Sequence, residues 1–168
     1  MSILSLDTRR AEIADAFGIS SVHDESWRHA YTGLIPHKAL DTMIRRRDPQ
    51  WWARAIRNST QILVLHDNGQ VVGYATLGQN RVSALSQDGE IYELYLKPEY
   101  QGVGLGKKLF LAAREQLLRQ GMKGCIVWVL EENAPAMQFY RNAGGVDIAE
   151  GNETFNGRTL NKVAFAWD

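Results

Sequence analysis

The hydrophobic pattern of the chain alternates in some stretches and repeats every three to four residues in others, which separates predicted strands from predicted helices. The predicted strands are 4–11, 61–66, 71–77, 89–97, 124–130, 146–154 and 158–167. The predicted helices are 13–31, a short one opening at Pro36, 104–120 and 134–143. Asp67-Asn68-Gly69 and Asn156-Gly157 are turn residues typical of hairpins. Hairpins combined with strand–helix–strand crossovers predict an α/β (mixed α+β) fold, in which a mixed sheet is flanked by helices.

The apolar stripes of the predicted helices identify candidate core residues. These are Ile13, Phe17, Val22 and Trp27 in the first helix, Leu40, Met43 and Ile44 in the second, and Leu105, Leu109, Ala112 or Ala113, and Leu117 in the third. Gly18 weakens the first helix. Trp51, Trp52 and Trp128 are also expected in the core, and residues 45–47, three arginines, are expected at a solvated helix end.

Composition narrows the class of protein. A chain of 168 residues suits one domain, 1–168, and its 19 basic and 19 acidic residues give no electrostatic reason to expect nucleic acid or a membrane surface as partner. No apolar run has the length of a membrane span, and the first residues lack the pattern of a signal peptide. Cys125 is the only cysteine, so a cytoplasmic location and a buried, unreactive thiol are predicted. The four histidines show no metal-ligand spacing, so no metal is expected.

Candidate chemistry is concentrated where strand 89–97 meets the helix 104–120. The connecting residues 101–107 contain glycines at 102, 104 and 106, which remove side chains where a ligand could approach the backbone. The helix that follows points free N–H groups and its positive dipole end at the same place, so a phosphate or pyrophosphate is the expected ligand. Glycines also serve plain turns, and that alternative remains open at this point.

Two common phosphate-binding patterns fail here. The Walker pattern requires glycine at position 101, which is glutamine, and Ser or Thr after Lys107, where Lys108 stands. The dinucleotide pattern Gly-x-Gly-x-x-Gly fails from either Gly102 or Gly104. A general nucleotide-binding protein is therefore supported only by the glycines themselves.

The pattern that does fit is Gln101-x-x-Gly104-x-Gly106 after residues 90–97, and with it the chain resembles the GCN5-related N-acetyltransferase (GNAT) superfamily, bacterial type. A second stretch, 133–145, resembles the Asn-x-x-Ala…Phe-Tyr…Gly segment of that family, and residues 25–36 resemble an N-terminal helix of bacterial members. Gly145 departs from the usual phenylalanine, which is expected to affect local packing. The resemblance implies a mostly antiparallel sheet of about seven strands and about four helices, with splayed strands at the cofactor site. It also implies an acetyl-CoA-dependent N-acetyltransferase that acts on a primary amine of a small molecule or protein, and it leaves a homodimer open.

The resemblance also implies which residues form the site. The residues that would bind the cofactor are Leu94, Tyr95, Leu96, Gln101, Gly102, Val103, Gly104, Leu105, Gly106, Lys107, Asn133 and Tyr140. Glu90 or Glu93 would accept the proton of the amine, with Glu90 slightly favoured, although strand alternation places the two on opposite faces unless a bulge intervenes. Tyr140 would give a proton to the leaving thiolate, and the Leu94 N–H would polarise the thioester carbonyl.

Each of these side chains also has an ordinary structural role open to it. Tyr140 could be core, the two glutamates solvent-facing charges, and Trp27 and Tyr31, four residues apart on a helix, could be core or line an acceptor pocket. A non-catalytic acyl-CoA sensor or interaction module on the same scaffold is therefore the rival to the enzyme.

Overall fold

The computed structural model describes residues 5–168 and contains a seven-stranded sheet with helices on both faces. The strands are β1 (Leu6–Arg10), β2 (Gln61–Asp67), β3 (Gln70–Gln79), β4 (Gly89–Leu96), β5 (Cys125–Leu130), β6 (Val146–Phe155) and β7 (Arg158–Trp167). The helices are α1 (Ala16–Tyr31), α2 (His37–Arg46), α3 (Pro49–Arg57), α4 (Leu105–Arg119) and α5 (Ala134–Asn142), with 3₁₀ turns at Ile13–Asp15 and Pro98–Tyr100. The predicted fold class and strand number are confirmed.

The sheet has the order β1-β2-β3-β4-β5-β7-β6 and is antiparallel except at its centre. There β4 and β5 run parallel and are paired only at Gly89 with Cys125 and at Glu90 with Ile126. Beyond these two residue pairs the strands separate, as the predicted splay requires. The edge of β4 that faces β5 therefore carries main-chain groups without a neighbouring strand.

Two apolar layers cover the sheet. On one face α4 buries Leu109, Phe110 and Leu117 against residues such as Ile91 of β4 and Phe165 of β7. On the other face α1 and α3 pack against β2 and β3 through buried side chains: Ile19, Val22, Trp52, Val64 and Tyr74. The predicted core face of α4 is buried, and of the two alanines considered for it Ala113 is the buried one. The buried residues are Leu105, Leu109, Ala113 and Leu117.

The structure has five helices where about four were predicted, and the one that sequence analysis did not identify is α3. The residues Asp48-Pro49 start this helix: the Asp48 carboxylate accepts a hydrogen bond from the Trp51 N–H at 2.8 Å, and Pro49 occupies the first turn. Trp52 is fully buried, as predicted, and Trp51 is half-buried.

The start of the first helix was also predicted incorrectly. Helix α1 begins at Ala16, and Ile13 and Phe17 are 50% and 76% exposed, so they are not part of the core. Gly18 has a packing role, since a Cβ there would lie 2.9 Å from the Cβ of Val71 on β3. Leu4, placed in the first predicted strand, lies outside the described residues.

Gly145 was expected to affect packing, and the structure shows how. A Cβ at this position would lie 2.6 Å from the Trp167 ring, whose Nε1–H donates to the Ala143 carbonyl at 3.0 Å. The tryptophan on β7 therefore occupies the space next to the glycine.

Candidate functional site: two cavities at the splayed strands

The open edge of β4 presents alternate residues to the gap between β4 and β5. The Lys97 N–H donates to the Val72 carbonyl of β3, while the Leu96 carbonyl accepts from the Gln101 side chain at 3.2 Å. Because main-chain groups alternate in direction along a strand, those of Leu94 and Leu96 face the gap and those of Tyr95 face β3. Leu94 and Leu96 therefore offer main-chain groups to a ligand in the gap, whereas the main-chain groups of Tyr95 are directed away from it.

The glycine-rich turn after β4 has a conformation that needs glycine at two positions. Gly102 and Gly104 have φ values of +79° and +83°, and a Cβ on either would meet nothing within 4 Å. Gly104 is the N-cap of α4, and the first helical hydrogen bond runs from the Lys108 N–H to the Gly104 carbonyl at 3.3 Å. The N–H groups of residues 105–107 precede that bond, so they and the dipole end of the helix are directed out of the helix start.

A cavity of about 700 Å³ lies against this turn, between the open edge of β4 and helix α5, and is called the large cavity here. It is lined by ten of the twelve residues predicted to bind the cofactor: Leu94, Tyr95, Leu96, Gln101, Gly102, Gly104, Gly106, Lys107, Asn133 and Tyr140. The two exceptions are Val103, whose side chain is exposed, and Leu105, whose side chain is buried in the core. Only their backbone groups remain candidates for ligand contact.

Helix α5 supplies the far wall of the large cavity. The Asn133 side chain accepts a hydrogen bond from the Ala136 N–H at 3.4 Å and so caps the start of α5. Tyr140 is buried between the rings of Phe110, Phe139 and Trp167. Burial raises the pKa of Tyr140, and the neighbouring Tyr31 hydroxyl raises it further, so the phenol keeps its proton at neutral pH.

A second hollow of about 310 Å³, the aromatic cavity, lies on the α1 side of the sheet. Its walls include six aromatic side chains: Trp27, Tyr31, Tyr92, Tyr95, Trp128 and Phe155. The Tyr31 and Tyr95 hydroxyls are 2.5 Å apart, and Tyr95 lines both cavities. Trp27 and Tyr31 therefore line a cavity as well as packing, and Trp128, predicted as core, is a half-buried wall residue.

Glu90 and Glu93 both line the aromatic cavity, because β4 contains a bulge. Thr76 pairs with Glu93 and Leu77 with Ile91, which leaves Tyr92 as the extra residue. The bulge removes the alternation that would otherwise place the two carboxylates on opposite faces.

Both glutamates are held by hydrogen bonds and ion pairs. The Glu90 carboxylate, 2% exposed, accepts from the Arg81 backbone N–H at 3.1 Å and from its guanidinium at 2.9 Å. The Glu93 carboxylate, 12% exposed, accepts from Arg47 at 3.1 Å, from the Tyr74 hydroxyl at 3.2 Å and from the Thr76 hydroxyl at 3.3 Å. Glu93 is the more accessible carboxylate and is next to Leu94 on β4.

Sequence reasoning missed the cations of this site. Arg47 was expected to be solvated, yet its guanidinium stacks 4.0 Å from the Trp51 ring and pairs with Glu93. Arg81 and the Glu153–Lys162 pair also line the aromatic cavity and carried no recognisable motif. The role of Arg47 could have been predicted only if helix α3 had been recognised, because α3 places Trp51 against the Arg47 guanidinium.

Comparison with known proteins identifies the family. The sequence model of the Acetyltransferase (GNAT) family matches residues 21–144. The chain belongs to the GNAT family. It is an acetyltransferase, and the comparisons do not favour the non-catalytic alternative.

Individual GNAT relatives cover nearly the whole chain. The uncharacterised N-acetyltransferase YuaI of Bacillus subtilis (strain 168) is 33% identical over 95% of this chain and 91% of its own length. The spermidine N(1)-acetyltransferase of Thermoplasma acidophilum is 25% identical over 89% and 94%. The crystal structure of PaiA N-acetyltransferase from Thermoplasma acidophilum in complex with coenzyme A superposes with a TM-score of 0.73 at 23% identity, covering 96% of this chain and 98% of that one.

Residues 5–168 contain no group of three His, Cys, Asp or Glu side chains arranged to hold a metal ion. In the same residues, no helix has the length and apolar character needed to cross a membrane.

Proposed function

We propose that this GNAT protein transfers the acetyl group of acetyl-CoA to a primary amine of a small molecule or protein, with the amine attacking the thioester directly. The observation that carries the proposal is the position of the two cavities. The large cavity and the aromatic cavity both border β4 and helix α1, and they share the wall residue Tyr95. A donor in one and an acceptor in the other would meet at the open edge of β4.

The large cavity suits coenzyme A in the chemistry of its walls. Positive φ at Gly102 and Gly104 leaves a surface without side chains, on which amides of residues 101–107 and the α4 dipole would hold the pyrophosphate. The main-chain groups of Leu94 and Leu96 would bind the pantetheine amides in the manner of an added strand. Asn133 and Tyr140 would complete the wall at the thioester end.

Three groups of the chain would act in the transfer. Acetyl-CoA, when bound, supplies the acetyl group as an activated thioester. Glu90 or Glu93, directly or through a held water, would accept the proton of an amine that is mostly cationic at neutral pH. The Leu94 N–H would donate a hydrogen bond to the thioester carbonyl oxygen, and the Tyr140 hydroxyl would give its proton to the thiolate.

The proposal is tested by incubating the protein with acetyl-CoA and a panel of amines while free thiol is followed. Thiol release that depends on an amine, with the acetylated amine found by mass spectrometry, is the expected result. Coenzyme A should also raise the melting temperature, whereas ATP should not. Absence of both thiol release and coenzyme A binding would overturn the proposal, and binding with no effect of Tyr140→Phe on any output would favour a sensor. We also propose a cytoplasmic location, because the only cysteine, Cys125, has no second cysteine with which to form an internal disulfide.

A further inference from the structure

The charges of the aromatic cavity cancel in pairs. Three carboxylates line it, and each contacts its own cation: Glu90 with Arg81 at 2.9 Å, Glu93 with Arg47 at 3.1 Å and Glu153 with Lys162 at 3.1 Å. The partners come from different elements, namely the loop after β3, the end of α2 and the strand β7. The pairing is thus built by the tertiary fold around the cavity.

Each cation is also placed against an aromatic ring. Arg47 stacks on Trp51 at 4.0 Å, Arg81 on Tyr92 at 4.1 Å, and Lys162 on Trp128 at 4.7 Å from the ring centroid. These contacts hold the cations beside their carboxylates. A ligand group of either charge would have to displace one member of a pair that is held from two sides.

This arrangement discriminates between classes of amine. A polyamine brings at least one further ammonium group besides the reacting one, and each needs a carboxylate that is not already neutralised. An amino acid brings a carboxylate, which needs a cation that is not already paired. An amine without other charges needs neither, and its body would contact the aromatic and aliphatic walls formed by residues such as Trp27, Trp128, Phe155 and Leu130.

The volume of the aromatic cavity also indicates the class of acceptor. The volume of about 310 Å³ is near the lower end for small-molecule sites, which favours a small acceptor. Of the two carboxylates on β4, the more exposed is Glu93, which is two residues from Tyr95, the wall residue shared with the large cavity. The reacting nitrogen would lie there as a neutral amine after giving its proton to the base, so it needs no unpaired carboxylate.

We infer that the acceptor is a small primary monoamine with an aromatic or bulky apolar body and no second charged group. The inference rests on the proposed acetyl transfer and specifies its acceptor. It also separates this chain from an enzyme built for a polyamine, although one of its relatives is a spermidine acetyltransferase.

The test uses three probes with the full-length protein: 2-phenylethylamine, phenylalanine and spermidine. Phenylalanine keeps the ring and adds a carboxylate, and spermidine adds ammonium groups without a ring. Both kcat/KM by thiol release and binding by calorimetry in the presence of coenzyme A are measured. We expect 2-phenylethylamine to exceed both other probes by at least about tenfold, because each of the others brings a charge that the cavity does not match.

A variant that removes one cation of the aromatic cavity tests the role of charge pairing directly. Lys162→Gln removes the partner of Glu153 and should raise the use of spermidine relative to 2-phenylethylamine by about threefold, the size expected of one partly exposed charge contact. Arg119→Gln, which breaks the exposed pair with Glu115 on α4, is the matched control and should leave the ratio unchanged.

Preferred binding or use of spermidine or phenylalanine by the unaltered protein would overturn the inference. So would failure of 2-phenylethylamine to bind while coenzyme A binds normally. Binding of 2-phenylethylamine in preference to the other two, without thiol release from any of them, would support the acceptor class and count against the acetyl transfer itself.

Discussion

Exchanging Gly104 for alanine adds one methyl group at the start of α4, where the pyrophosphate would be held. Gly104 has a φ of +83°, and a Cβ there meets nothing within 4 Å, so the cost to the free protein comes from backbone strain and not from a clash. A left-handed conformation costs a non-glycine residue roughly 1–2 kcal/mol. In a chain of this size that corresponds to a fall in melting temperature of about 2–8 °C.

Gly157, in the β6–β7 turn, is a close control for that strain. Its φ is +84°, a Cβ there also meets nothing within 4 Å, and it does not line the large cavity. Gly157→Ala should therefore lower the melting temperature by a similar amount. Any difference between the two variants in ligand affinity then reports on the site.

For coenzyme A the two variants should differ strongly. The methyl group of Gly104→Ala would occupy the surface where the diphosphate meets the amides, and losing one charge-assisted hydrogen bond of about 1.5–3 kcal/mol raises the Kd by roughly 10- to 150-fold. Gly157→Ala should leave the Kd within about twofold, which is the scatter expected at a distant site. Isothermal titration calorimetry measures both. An unchanged Kd for Gly104→Ala, or an equal loss for Gly157→Ala, would refute the reasoning.

Three further predictions follow from the site and the core. Tyr140→Phe should lower kcat by about 100-fold, a usual size for loss of a general acid, with little change in the Kd of coenzyme A; an unchanged kcat would remove Tyr140 from the reaction. Glu90→Gln and Glu93→Gln are compared by the pH profile of kcat/KM. The variant that lacks the base should lose the acidic limb of that profile. If both variants keep the limb, neither glutamate is the base. His23 is buried, and its pKa is lowered to about 3, mainly by burial and secondly by the positive charge of Arg47. In the unfolded chain the pKa of His23 returns to about 6.5, so between these two values the unfolded chain binds more protons than the folded protein. The free energy of unfolding should thus fall by about 2 kcal/mol between pH 7 and pH 5 from this residue alone, measured by urea denaturation, and His23→Leu should lose that part of the pH dependence; an identical slope in the variant would contradict it.

The parts of the fold that were predictable from the sequence are those set by local pattern. The long stripe of α4 and the glycines of residues 101–106 are local signals, and they located the large cavity. The start of α3 was missed because Asp48-Pro49 can end one helix or begin another, and only the structure shows the Asp48 cap.

The parts that were not predictable depend on contacts between distant residues. The bulge at Tyr92 arises from the pairing of β4 with β3, and without it Glu90 and Glu93 would lie on opposite faces. The partnership of Arg47 with Glu93 joins residues 46 positions apart. No periodicity in the sequence reports either contact, so the charge balance of the aromatic cavity becomes visible only in three dimensions.

The central claim is that main-chain amides of residues 101–107 bind the diphosphate of coenzyme A. Amide hydrogen exchange, followed by mass spectrometry with and without coenzyme A, measures those amides directly. The account predicts strong slowing of exchange in peptides that span 94–107, and no change in the turn at 156–157. Saturating coenzyme A that leaves exchange at 101–107 unaltered would contradict the account.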